Sequence, residues 1–152
     1  MLEDMREPAG PEERAVVERY LVAFEAADVP ALTRLLADDV ALEMPPVDLW
    51  LAGRDHYREF IERVFAMRGT GWRLRLVHAN GSPALAAYAA EPATGVLRAH
   101  SLQVFDVRGG LIRRCVAFVD PALFRLFGLP GQIDPPAGQT NPLSSLPGQT
   151  NP

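Results

Sequence analysis

Lysine is missing from this chain: all 15 basic residues among its 152 are arginine. That excludes a Schiff-base amine, a lysine general base and the lysine of a phosphate-binding loop. Cysteine is down to one, Cys115, so an internal disulfide and a multi-cysteine metal site are excluded. It lies in the apolar run Leu111–Val119 and reads as a buried structural thiol. The three histidines, His56, His78 and His100, are scattered, and none stands at metal-ligand spacing from another histidine or a carboxylate. No metal and no cofactor is therefore expected. There is no glycine-rich phosphate loop, and Ser82 and Ser101 sit in no nucleophile motif. No apolar run is long enough to span a membrane, and the start, MLEDMREPAG, has no signal-peptide core. A soluble, cytoplasmic protein is expected. With a net charge of −4 there is no basic footprint for nucleic acid.

What is present suits one domain with a real core, since 48% of the residues are hydrophobic. Residues 1–10 read as a linker or frayed end. From Pro11 to Ala27 the apolar set Val16, Val17, Tyr20, Leu21 and Phe24 has helical spacing, with Glu12 and Glu13 where the helix dipole favours acids. Asp28 caps a second helix that carries Pro30 in its first turn, shows Leu32, Leu35 and Leu36 to the core and ends near Asp38-Asp39. Val40–Met44 reads as a short strand stopped by Pro45-Pro46, and a turn bearing Trp50 follows. A third helix spans about Arg54 to Met67, with Tyr57, Phe60, Ile61, Val64 and Phe65 on its apolar face.

The period then changes to two. Trp72–Asn80, Pro83–Glu91, Val96–Val107 and Leu111–Val119, joined by tight turns, predict a four-stranded antiparallel meander. Apolar residues occupy both faces of the long strand, Val96, Leu102 and Val104 on one and Leu97, Phe105 and Val107 on the other. One face should meet the helices and the other a second copy, which predicts a homodimer through the sheet. Asp120-Pro121 opens a short helix that Gly128 and Pro130 end. Residues 131–152 are rich in Pro, Gly, Gln, Asn and Ser, repeat GQTNP twice, and read as a flexible tail. The domain proper is expected to span residues 11–130.

The order helix, helix, strand, helix, then curved meander resembles the nuclear-transport-factor-2-like cone. Within that superfamily the chain is similar to SnoaL-like domains through ADVPAL (Ala27–Leu32), LLADDV (Leu35–Val40), Met44-Pro45-Pro46, Trp50, Gly53-Arg54 and FVDPALF (Phe118–Phe124). More narrowly, EMPPVDLWLAGRDHY, FAMRGTGW and RAHSLQVF look like the C-terminal extension of certain extracytoplasmic-function sigma factors. The resemblance implies an α+β fold, a cone-shaped curled antiparallel sheet with three N-terminal helices over its concave face. It implies a pocket for a small apolar ligand and a regulatory role, with sigma-factor regions or RNA polymerase as partners if the chain is part of a longer one. The alternative it implies is an enzyme using general acid/base chemistry (cyclase, isomerase or hydrolase) on a compact apolar substrate.

Three residues are the candidate proton carriers. Asp120 resembles the late aspartate of SnoaL-like cyclases, and its place directly before Pro121 favours capping the helix after it. His100 is either a hydrogen-bonded core histidine or a pocket contact or base; relatives similar to limonene-epoxide hydrolase carry Arg-x-Asp on the comparable strand, where this chain has Arg98-Ala99-His100. Glu43 stands beside the expected cone mouth, or on the exposed alternate face. The candidate ligand contacts are Trp50 and Tyr57 at the pocket lip, His78, Tyr88 among small alanines, Met44 and Phe118. Arg54 is expected to pair with Asp38 or Asp39 and fix its turn.

Overall fold

A computed structural model of the chain describes residues 10–79 and 81–134. The expected linker at residues 1–9 and the GQTNP repeats lie outside the described residues. Helix α1 (Pro11–Glu25) starts where expected: Pro11 takes the first helical position and Glu13 accepts a hydrogen bond from the Gly10 amide at 2.7 Å. Its buried face is Val16, Val17, Tyr20, Ala23 and Phe24. In α2 (Val29–Thr33) the Asp28 carboxylate caps the Ala31 amide at 3.1 Å.

The chain then departs from the local pattern. Helix α2 stops at Thr33, and Leu36 already begins strand β1 (Leu36–Glu43). Leu35 and Leu36 are thus not the last turn of a helix running to Asp38-Asp39. The cause is long-range pairing: β1 lies parallel to β6 (Leu111–Phe118), and the Ile112 amide donates to the Leu35 carbonyl at 2.8 Å. A register irregularity between Leu36 and Ala41 masks the period of two. Around it, Leu36, Ala37, Val40 and Leu42 are buried while Asp38 and Asp39 stay exposed. The segment expected to be a plain turn at Trp50 is a three-residue edge strand, β2 (Trp50–Ala52), paired antiparallel to β1. Gly53, at φ +106°, makes the bend into helix α3 (Arg54–Arg68), a backbone shape that a side chain would strain. Arg54 pairs with Asp38 across that bend.

The meander forms as its alternation predicts, with β3 (Arg73–Ala79), β4 (Ser82–Ala90), β5 (Leu97–Arg108) and β6 antiparallel in sequence. The sheet order is β2-β1-β6-β5-β4-β3, and α1, α2 and α3 pack on its concave face.

On the convex face the chain's own C-terminal segment covers part of the apolar surface expected to meet a second copy, while Val104 and Val116 stay half-buried. Phe124 of α4 (Ala122–Leu126), fully buried, packs with Ala86, Tyr88, Leu97 and Leu102, and Leu129 and Ile133 join it. The Tyr88 hydroxyl donates to the Pro130 carbonyl at 2.9 Å. Strand β7 (Gln132–Ile133) pairs with Leu97 and Arg98, on the stretch of β5 that β6 leaves free by ending opposite Leu102. Gln132 and Ile133, placed by composition in the tail, therefore form part of the sheet.

Candidate functional site

Between the helices and the concave face lies a cavity of about 40 Å³, walled by Tyr20 and Phe24 of α1, Tyr57, Phe60, Ile61 and Val64 of α3, Trp72, and residues of β1, β5 and β6. That is room for roughly two or three water molecules, so a ligand of ordinary size enters only if side chains move. No Asp, Glu, Lys or Arg belongs to the wall.

One of its polar groups comes from an irregularity. Across β4 and β5, Ala87 pairs with Ser101 but Tyr88 pairs with Ala99, so His100 is the extra residue of a bulge. A bulge lets two consecutive residues reach one face. His100 and Ser101 both line the cavity, followed by Gln103, while Leu102 packs in the convex-face cluster. His100 thus does not share a face with Leu102 and Val104, as strict alternation predicts. The Gln103 amide donates to Ser101 Oγ at 3.3 Å. The Trp72 ring stands edge-on to His100 at 5.0 Å between centroids. Among the described residues, His100 Nδ1 alone is a buried side-chain polar atom without a hydrogen-bond partner. Burial, reinforced by the positive charge of Arg68, pushes the imidazole pKa down to about 4, so His100 is neutral at pH 7.

Opposite this strand is a closed hydroxyl–thiol group. Tyr20 and Tyr57 share a hydrogen bond of 2.7 Å, and the Tyr57 hydroxyl also bonds the Cys115 sulfur. Burial raises both phenols well above their ordinary value, with Cys115 adding to the shift, and pushes the thiol up to about 12. All three therefore stay protonated at neutral pH and serve as neutral polar contacts.

Of the residues singled out from the sequence, His100, Tyr57 and Met44 line the cavity. The others are elsewhere. Glu43 pairs with Arg114 at 2.7 Å and is not part of the wall. Asp120 is exposed, its carboxylate accepting from the Ala122 amide at 3.1 Å, which is the capping role. His78 is exposed, and Tyr88 and Phe118 pack in the convex-face cluster. Trp50, 65% exposed, stands on the edge strand. The structure therefore does not bring His100, Asp120 and Glu43 together. Ala84, Ala86 and Ala87 of β4, beside Tyr88, are fully buried. Ser101, Gln103 and Tyr20 were missed. A polar tip on the apolar face of α1 signals Tyr20, and Ser101 and Gln103 alternate in phase with Phe105 and Val107, which pack under the helices; nothing in the sequence marks the bulge that brings His100 to the same face.

Among the described residues no group of histidine, cysteine and carboxylates could hold a metal ion, and no helix is long and apolar enough to cross a membrane. Residues 17–115 match the model of the SnoaL-like domain. The chain is 35% identical over 127 residues to the ECF RNA polymerase sigma factor SigG of Mycobacterium tuberculosis, a match that covers 83% of this chain and 34% of the sigma factor. It thus spans about a third of the length of the curated relatives it matches. Among solved structures it resembles the extracytoplasmic function sigma factor SigJ of Mycobacterium tuberculosis, with 27% identity, a TM-score of 0.59, and 80% of this chain and 47% of that one covered. It shares its fold with an LEH-like epoxide hydrolase from the same organism, at 20% identity and a TM-score of 0.57, over 76% of this chain and 89% of the other.

Proposed function

Because the chain belongs to the SnoaL-like domain family, we propose that it is a small-molecule-binding regulatory domain of the kind carried by extracytoplasmic-function sigma factors. It acts in the cytoplasm on sigma-factor regions or RNA polymerase. The observation that carries the binding role is the uncharged cavity under the three helices, with one buried polar atom, His100 Nδ1, left unpartnered in its wall. Pockets for small molecules combine apolar walls with few orienting polar groups. Acid/base catalysis needs two titratable groups converging on one point. No carboxylate lines this wall, and the phenols and thiol resist ionisation. The similarity to SigG and SigJ supports the regulatory half.

The test is a cavity-filling substitution. Ala117 lines the cavity; Ala117→Leu should leave the fold intact and abolish the thermal shift given by small apolar compounds. In a chain that joins this domain to sigma-factor regions, the same substitution should make promoter-directed transcription insensitive to those compounds. If compounds shift the variant as much as the parent, the cavity is not their site. If transcription never responds, the regulatory role fails.

A further inference from the structure

We infer that the cavity selects an uncharged ligand bearing a hydroxyl group, and that His100 is the residue that reads that group. This rests on the binding role proposed above and specifies the chemistry of its ligand.

Taken group by group, the wall has one fully buried polar atom without a partner. Tyr20, Tyr57 and Cys115 satisfy one another, and Gln103 is bonded to Ser101. What remains is His100, inserted by the β5 bulge, with Nδ1 buried and unpartnered. A buried polar atom in that state destabilises the empty domain, and a ligand that satisfies it recovers the loss. A neutral imidazole carries one donor and one acceptor nitrogen. A hydroxyl can accept from the first or donate to the second, so it suits either tautomer; an ether or a hydrocarbon does not. A carboxylate is disfavoured, because no cation belongs to the wall and a buried charge without a partner is costly. Arg68, whose charge acts on His100, is exposed and not part of the wall. The rest of the wall is aromatic and aliphatic, Phe24, Phe60, Ile61, Val64 and Trp72, which suits a compact ring.

Three probes of one shape separate these terms: phenol, toluene and benzoate, each titrated at pH 7 into the full chain. Affinity is read from chemical shifts of cavity residues and contact from the His100 ring resonances. Phenol should bind about tenfold more tightly than toluene, the worth of one net hydrogen bond, and move the His100 ring resonances. Benzoate should not bind. In His100→Phe, toluene should bind as before while the preference for phenol disappears. Equal affinities for phenol and toluene in the unsubstituted chain overturn the hydroxyl selection yet leave the binding role standing. Benzoate binding as tightly as phenol overturns the requirement for an uncharged ligand. Failure of all three to perturb the cavity overturns the binding role and this inference together. The ratio in the unsubstituted chain decides the matter even if the variant does not fold.

Discussion

At the scale of single residues, His100 makes the chain's stability depend on pH in a direction that can be worked out. Its folded pKa is near 4, below the ordinary value of 6.5. Between those values the unfolded chain binds a proton that the folded one refuses. Stability from this group is therefore complete above about pH 6.5 and is lost as pH falls toward 4. Urea midpoints taken at pH 7, 6, 5 and 4.5 should fall more steeply for the unsubstituted chain than for His100→Phe, which has no such proton to exclude. Parallel pH profiles would mean that the imidazole is protonated where it stands. The tyrosine pair allows a second measurement. Tyr57→Phe leaves the Tyr20 hydroxyl and the Cys115 thiol buried without their partner, at a cost of about 1–3 kcal/mol. Tyr20→Phe costs less, because Tyr57 keeps the sulfur contact. The double variant should cost less than the sum of the two, since a hydroxyl already orphaned cannot be orphaned again. Strict additivity in denaturant titrations would show that the pair is not coupled.

At the scale of elements, what could be read in the sequence divides by the range of the forces involved. Strands β3 to β6 follow period-two alternation, α1 and α3 follow helical spacing, and Asp28 caps where it should; each depends on neighbours in sequence. Strand β1 did not emerge in full, because its first half is held by parallel pairing to β6, about 75 residues away in sequence. Leu35-Leu36 satisfies a helical pattern as readily as a strand. The inward turn of His100 was hidden for a similar reason: one inserted residue there exchanges the faces of everything before it, so that Leu97 lies opposite to Phe105 and Val107. The candidate site suffered most, since Asp120 and Glu43 were selected for chemical type and their partners, the Ala122 amide and Arg114, are fixed by the fold. The C-terminal helix is an element whose worth can be measured. Phe124 is fully buried and packs edge-on against Tyr88 at 5.3 Å between centroids. Phe124→Ala should cost roughly 3 kcal/mol and free the Tyr88 ring, visible as loss of its near-ultraviolet circular dichroism. A cost below ~1 kcal/mol would mean that α4 adds little to the core.

At the scale of the whole molecule, the two faces of the sheet carry different duties. The concave face, with α1 to α3, encloses the cavity. The convex face is apolar enough to invite a second copy, and residues 121–134 cover part of it from within the chain through Phe124, Leu129 and Ile133 and the ladder of β7 on β5, leaving Val104 and Val116 half-buried. Where the outer face is already buried the sheet gains little from a partner, because burying the same area twice is impossible and displacing the covering segment returns its own apolar surface to water. The intact chain should therefore sediment at the mass of one protomer. Ending the chain after Asp120 uncovers Ala86, Tyr88, Leu97 and Leu102 together, a contiguous apolar surface of the kind that drives association. The shortened chain should sediment as a dimer or larger, with a midpoint that rises with protein concentration as mass action requires. Phe124→Ser in the intact chain probes the same face without shortening it, and should shift the balance in the same direction to a smaller extent. If both variants stay monomeric while remaining folded by circular dichroism, the convex face is not adhesive and the C-terminal segment has no shielding role. If the intact chain is itself a dimer, the contact must lie outside the covered area, and cross-links from Arg75, whose guanidinium covers the Tyr88 ring, should then be absent.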